Sequence, residues 1–281
     1  MKFSDRVGIT KIKNELQINS INDVLKVRIY NVIIIFLIER LDYYTRESGS
    51  FYELIRLMWH SLLKLDFDKI PLRNYLFNDF LKQYFMAFEW YKVYNLLEFL
   101  YQELPDSNEK FKECINKVLE EELSGYRIIG NEVTQITDKK EIKEIEEALL
   151  KSKENKLSAV YKHLDSALSK FSNKEKPDYR NSIKESISAI ESISKIISGN
   201  PKAEFGEALE IIEKNIGIHK ALKKGFLAIY GYSSDAGGIR HAMTDELNPV
   251  YFEDAKFMLI ACSALINYLI VKADKSGISF K

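Results

Sequence analysis

Apolar residues recur along most of this chain with the three- and four-residue spacing that is typical of helices. Asn22 or Asp23 can cap the first strong stretch, and we predict a helix from there to about Thr45. Its centre, IYNVIIIFLIERL, is apolar on nearly every side, which indicates a buried helix. Gly49 and Ser50 end it. A second helix is predicted over 51–64, and a loop over 66–71.

The stretch 72–104 is rich in aromatic residues and predicts two helices, with a break near 86–91. Aromatic side chains at helical spacing are typical of a core, although they could also stack on bases; the run comprises Tyr84, Phe85, Phe88, Trp90, Tyr91 and Tyr94. A further helix is predicted over 108–123, with Ser107 as its cap.

The apolar period then changes. Residues 126–136 predict a β-hairpin, with Gly130-Asn131 as the tight turn. Such a hairpin is marginal alone and must pack on helices. Thr137 resembles a helix cap, and we expect the charged helix that follows to run past Lys156 toward Phe171.

Four helical segments are predicted in the C-terminal half, over 178–198, 203–217, 218–230 and about 250–273. A glycine-rich loop over 231–238 and a short helical turn over 239–247 separate the last two, with Pro249 where a first helical residue would lie. The predicted fold class is therefore all-α. We expect two helical domains, 1–150 and 151–281, with the small β-hairpin near their boundary.

Charge and cysteine content narrow the functional classes. The 281 residues carry 41 basic and 41 acidic side chains, which excludes a strongly basic nucleic-acid coat. The first 150 residues hold 21 basic and 25 acidic side chains, and the rest hold 20 and 16, which weakly favours an anionic partner for the C-terminal half. Cys114 and Cys262 lack ligand spacing, so no metal site is expected.

No apolar signal core opens the chain, and the longest apolar runs are shorter than the ~18–20 residues that a transmembrane helix needs. We therefore expect a cytoplasmic protein without membrane contact. The usual phosphate-loop, zinc-protease and hydrolase motifs do not occur in the sequence, and no cofactor is predicted.

The segment 230–242, YGYSSDAGGIRHA, gathers an acid, a guanidinium and an imidazole on a permissive backbone. Arg240 could hold a phosphate, His241 could move protons, and Asp235 could orient the imidazole. The alternative is a plain loop in which Asp235 caps the next turn and Arg240 forms a structural ion pair.

A second polar cluster lies at the start of the helix predicted over 178–198. Asn181 and Glu185 share one helix face, and Arg180 and Lys184 share the next. They form either a solvated first turn or a site beside the Arg240-His241 loop. Elsewhere, Arg56 and His60 lie one helical turn apart, which favours a helix-face arginine with an interfacial histidine over an acid–base pair.

Two resemblances cover nearly the whole chain. FSDRVGIT, LQINSINDVLKVRIYNVI and GYRIIGNEVTQITDKKEIKEIEEAL resemble the N-terminal domain of AbiJ-type abortive-infection proteins of bacteria. YRNSIKESISAIESI, LKKGFLAIYGYSSDAGGIRHA and AKFMLIACSALINYLI resemble the helical domain often joined to it, which belongs to the HEPN superfamily.

The second resemblance implies a helical bundle that dimerises and, in many members, cleaves RNA without a metal. The usual HEPN signature is an arginine followed four to six residues later by a histidine. This chain departs from it, since Arg240 directly precedes His241 and no histidine follows Arg180-Asn181 within that range. Catalysis would then assemble from two helices.

We therefore predict an anti-phage endoribonuclease. His241 would be the acid–base group and Arg240 or Arg180 would hold the scissile phosphate, with Glu185 in the catalytic set. The supporting or RNA-binding residues would be Asn181, Lys184, Tyr232, Asp235, Lys223 and Lys224. The expected partners are RNA, a second copy of the chain, and a phage trigger or neutralising protein. The alternative is a non-catalytic module that dimerises and binds RNA or protein.

Overall fold

A computed structural model of the chain describes residues 16–38, 50–71, 74–104, 108–173, 177–235 and 250–280. It contains two compact units, Met1–Thr137 and Asp138–Lys281. Both are helical, and the described strands form one two-stranded hairpin, so the all-α prediction is confirmed. A compact unit and a predicted domain need not end at the same residue, and the predicted boundary near residue 150 stays a prediction.

The first helix of the first unit, α1, spans Asp23–Ile33. Its predicted cap is confirmed, because the Asn22 side chain accepts a 2.9 Å hydrogen bond from the Leu25 amide. The helix continues as a wider π-helical turn over Ile34–Ile38. Residues 39–49, which the prediction included in part, lie outside the described residues.

Helix α2 spans Ser50–Leu57 and also continues as a π-helical turn, over Met58–Leu63. A short 3₁₀ turn, Phe67–Lys69, follows. Helices α3 and α4 span Asn74–Ala87 and Trp90–Glu103, so the predicted break is confirmed. Helix α5 spans Asn108–Glu121, and its expected cap, Ser107, lies outside the described residues.

The predicted hairpin is confirmed, with strands β1 at Arg127–Ile129 and β2 at Glu132–Thr134. Its turn uses Gly130 at a φ of 55°, a left-handed conformation that glycine adopts without strain. Ile128 faces Val133 across the pair. The outward amide and carbonyl of Ile128 bond the Asn116 side chain on α5, at 2.8 and 2.9 Å. That side chain therefore substitutes for a third strand.

Most of the aromatic run contributes to the core of the first unit, as predicted. Phe85 is fully buried and Tyr94 is 5% exposed, whereas Tyr84 and Tyr91 reach solvent. Arg56 and His60 are both exposed. They meet at the ring of Phe67, which lies 4.7 Å from the Arg56 guanidinium and 6.1 Å from the His60 ring.

The second unit begins with α6 at Lys139–Lys151, capped by Asp138 rather than by Thr137. The long charged helix expected toward Phe171 is wrong. A 3₁₀ turn at Asn155–Leu157 separates α6 from α7, which spans Ser158–Ser172. Ser152 and Lys153 occupy positions where the apolar stripe of α6 would have to continue, so the chain turns and starts a new stripe at Leu157.

Helix α8 spans Tyr179–Ser198 between the predicted cap Asp178 and a left-handed Gly199. Helices α9, α10 and α11 span Phe205–Ile216, Lys220–Asp235 and Phe252–Lys275. The predicted loop starts too early, because residues 231–235 belong to α10; the Ser233 hydroxyl is buried and bonds the Tyr230 carbonyl at 2.7 Å. Residues 236–249, including the expected turn and Pro249, lie outside the described residues.

Helix α8 is central to the second unit and packs against α7, α9 and α11. Its buried stripe includes Ile183, Ile187, Ile190 and Ile193, all at 0% exposure. The sequence predicted no membrane-length apolar segment, yet α11 is long and apolar enough to pass that test. More than half of that stretch is buried, and α11 packs against α6, α7 and α8 as a core helix.

Candidate functional site

Helices α7 and α8 form an antiparallel pair that fixes the polar groups of the second unit. The Ser182 hydroxyl of α8 donates a 2.8 Å hydrogen bond to the Ala167 carbonyl of α7. Closer to their connection, the rings of Phe171 and Tyr179 lie 6.0 Å apart. Continuing this pairing away from the connection brings His163 of α7 beside Glu185 of α8.

His163 and Glu185 form a hydrogen-bonded pair between Nδ1 and a carboxylate oxygen, at 2.7 Å. Their side chains keep 38% and 24% exposure, so the pair reaches solvent. Glu185 is a predicted site residue, whereas the sequence did not indicate His163. The two residues are 22 positions apart, and only the antiparallel packing of the helices joins them.

The first turn of α8 holds the other predicted residues of this helix. The Asp178 carboxylate accepts from the Asn181 backbone amide at 3.1 Å and from its side-chain amide at 2.8 Å. Asn181 therefore stabilises the helix start. Arg180 is half-buried on the next face and has an interaction partner of its own, and Lys184 is exposed.

Helix α10 holds the remaining described candidates. Lys223 forms an ion pair with Glu213, with 2.5 Å between Nζ and a carboxylate oxygen, and its neighbour Lys224 is exposed. Tyr232 is 38% exposed, and its pKa is raised by partial burial and then by the nearby, hydrogen-bonded carboxylate of Asp254 on α11. Asp235 is the last residue of α10, and its side chain lies outside the described set, as do Arg240 and His241.

Two contacts involve described residues on either side of the segment 236–249. Before the segment, Tyr232 meets Asp254 in the first turn of α11. After it, Phe252 packs 5.0 Å from the Phe171 ring and 6.1 Å from the Tyr179 ring, measured between centroids. Tyr179 directly precedes Arg180, so the first turn of α11 lies next to the start of α8.

Among the described ranges no group of three or more His, Cys, Asp or Glu side chains could hold a metal ion. The polar groups on these helices are a histidine, its carboxylate partner and, one to two turns earlier on a different face of α8, an arginine. Such a set can exchange protons and hold an anion.

The fold defines an all-helical protein of two units, with a docked hairpin in the first and a solvent-reaching histidine–carboxylate pair in the second. Residues 1–151 match the family model described as AbiJ N-terminal domain 4. That match covers more than half of the chain, and the chain belongs to this family. Membership points to abortive-infection defence, as the resemblance of the first half implied. Neither the curated proteins nor the solved structures contain a match to the chain.

Proposed function

We propose that this protein is a bacterial anti-phage protein whose second unit is a HEPN-like, metal-independent endoribonuclease. Family membership supports the defence role of the whole chain. The nuclease part is supported by the polar groups on α7 and α8 and by the sequence resemblance of the C-terminal half. The first unit would sense the trigger or restrain the nuclease.

The observation that carries this proposal is the contact between the first turn of α11 and the start of α8. Phe252 packs against Tyr179, the residue before Arg180, and α10 is joined to the same turn through Tyr232 and Asp254. Tyr232 and Phe252, described residues on either side of positions 236–249 in the sequence, therefore both lie at the turn that contacts the start of α8.

The proposed reaction is transesterification of RNA. The ribose 2′-oxygen attacks the adjacent phosphorus, the bond to the 5′-oxygen breaks, and the products carry a 2′,3′-cyclic phosphate and a 5′-hydroxyl. His241 transfers protons and Arg180 or Arg240 stabilises the charge on the phosphorane. Glu185 acts through His163, the histidine to which it is hydrogen-bonded. Lys184 and Lys224 are exposed and can contact RNA phosphates.

The test is cleavage of total bacterial RNA by the purified full-length protein without added metal, followed by analysis of the product ends. Arg180→Ala and His241→Ala should each abolish cleavage. Arg56→Ala is the matched control, because Arg56 is an exposed arginine of the first unit. Cleavage that persists in folded Arg180→Ala and His241→Ala would refute the assignment, and so would products that end in 3′-hydroxyls.

The alternative is a cytoplasmic, non-catalytic module that dimerises and binds RNA or protein. It is supported by large apolar side chains that remain exposed at the start of α11, where Tyr251 and Phe257 are 60% and 59% exposed. A homodimer through this unit would serve either function. Light scattering of the wild type beside Phe257→Ser tests it: a dimer that Phe257→Ser dissociates is expected, and a wild type that is monomeric at every concentration contradicts it.

A further inference from the structure

The geometry points to His163, held by Glu185, as the general base of the proposed nuclease. This inference rests on the proposed function and adds a residue to the same site. Both residues lie on described helices, α7 and α8, and their hydrogen bond determines which ring nitrogen of His163 carries the proton.

An ionised carboxylate can only accept hydrogen bonds, so in the 2.7 Å contact with Glu185 the Nδ1 atom of the neutral imidazole must be the donor. The proton of a neutral ring then resides on Nδ1, and Nε2 carries a lone pair. A histidine whose Nδ1–H is held by a carboxylate has the orientation and tautomer that general-base catalysis needs.

The exposure of the pair suits a role at a surface cleft. His163 keeps 38% of its side-chain surface in solvent, while Glu185 behind it keeps 24%. A long polymer can therefore reach the ring without any rearrangement of the two helices. A histidine that served only to close the interface between α7 and α8 would not need this exposure.

Charge around the pair favours an anionic ligand. Lys162 directly precedes His163 and Lys184 directly precedes Glu185, and both lysines are exposed. Arg180 lies five residues before Glu185 on α8, about 7.5 Å along the helix axis at 1.5 Å per residue. At 3.6 residues per turn the same five residues turn roughly 140° around the axis. Arg180 therefore projects from a different face of α8, and the positive charge beside the pair comes from the two lysines.

Nε2 of His163 takes the proton of the ribose 2′-hydroxyl while the 2′-oxygen forms its bond to phosphorus. The bond from phosphorus to the 5′-oxygen breaks, and that oxygen takes a proton from solvent water, while the His163 imidazolium returns its proton to solvent. No metal, oxidant or co-reactant enters the step.

The first measurement is RNA cleavage by His163→Ala, His163→Gln and Glu185→Gln in the full-length chain. A general base contributes about 10²- to 10⁴-fold, and we expect a loss of that size in all three. In Glu185→Gln the side-chain amide can donate to Nδ1 and move the ring proton to Nε2, so the loss should occur with nearly unchanged packing. His219→Ala is the matched control, since His219 is an exposed histidine of the same unit.

A purely structural role is separated by chemical rescue. Added imidazole should restore cleavage to folded His163→Ala but not to Arg180→Ala. Wild-type cleavage together with full activity of folded His163→Ala would overturn the base assignment and leave the proposed nuclease intact.

A wild type that cleaves no RNA even in extracts of phage-infected cells would refute the nuclease proposal, and the histidine is then judged by its own signals. We expect ¹⁵N shifts of an Nδ1-protonated ring for His163, and a change in those shifts when a 2′-O-methylated 20-nucleotide RNA is added. An Nε2-protonated ring, or a ring that the RNA does not perturb, would overturn the inference.

Discussion

The Asn116 side chain gives the sharpest stability prediction, because it bonds both outward backbone groups of Ile128 at the outer edge of β1. Asn116→Ala removes the partners of both the Ile128 amide and the Ile128 carbonyl, and Ile128 is fully buried. A buried polar group that loses its partner costs about 1–3 kcal/mol. The substitution should therefore lower the free energy of unfolding of the first unit by roughly 3 kcal/mol, and by no more than about 6.

The assay is urea denaturation followed by tryptophan fluorescence. The two tryptophans of the chain, Trp59 and Trp90, both belong to the first unit, so their signal reports on that unit. With a slope of about 2 kcal/mol per molar urea, the midpoint should fall by roughly 1.5 M. Lys117→Ala, an exposed neighbour on α5, is the control and should leave the midpoint unchanged. A fall of less than about 0.25 M for Asn116→Ala would show that the side-chain bonds do not hold the hairpin.

Three further outcomes are expected. Asp178→Ala removes the cap of α8 and should cost about 1 kcal/mol, seen as roughly five-fold faster hydrogen exchange of the first α8 amides; unchanged exchange would contradict the cap. Burial raises the pKa of Glu98 to about 7, so the folded first unit retains a proton that the unfolded chain releases, and its urea midpoint should fall from pH 5 to pH 8 but not in Glu98→Gln. Thiol titration of the native protein should detect the exposed Cys114 alone, because Cys262 is buried and its pKa is raised to about 12; two fast thiols would contradict its burial.

Local signals carried most of the fold prediction. Asn22 and Asp178 cap helices through contacts with amides only three residues away, and Gly130 and Gly199 supply left-handed turns. Such features depend on neighbouring residues, and a sequence displays them directly. The hairpin was visible for the same reason, since its turn and its two strands lie within eight residues.

The errors in the fold prediction arose where the local sequence is compatible both with a longer helix and with a turn. The charged stretch after Lys151 retains good helix formers, and the loss of the apolar stripe at Ser152 and Lys153 was the only sign of a turn. In α10 the opposite occurred: Gly231 suggested a loop, but the buried Ser233 hydroxyl bonds within the helix and the helix continues.

The candidate site was predictable in part. Arg180 and Glu185 stood out as polar residues on a strongly patterned helix, but the partner of Glu185 comes from another helix. Nothing in the 21 intervening residues encodes that meeting, which depends on the antiparallel packing of α7 on α8. Histidine was the residue type to search for, and only four occur in the chain.

The family match and the packing assign helix α6 to different halves of the chain. The family match continues through residue 151 and so includes it, yet its buried residues Ile145, Ala148 and Leu149 belong to the second unit, where α6 packs on α11. Any exchange of C-terminal halves between related defence proteins must therefore keep α6 compatible with the incoming partner of α11. A recombination junction at residue 151 would combine α6 of one parent with α11 of another and so alter their packing. A junction between Thr137 and Asp138 would leave the contacts within each compact unit unchanged. Natural recombination between such proteins should therefore leave its breakpoints between Thr137 and Asp138.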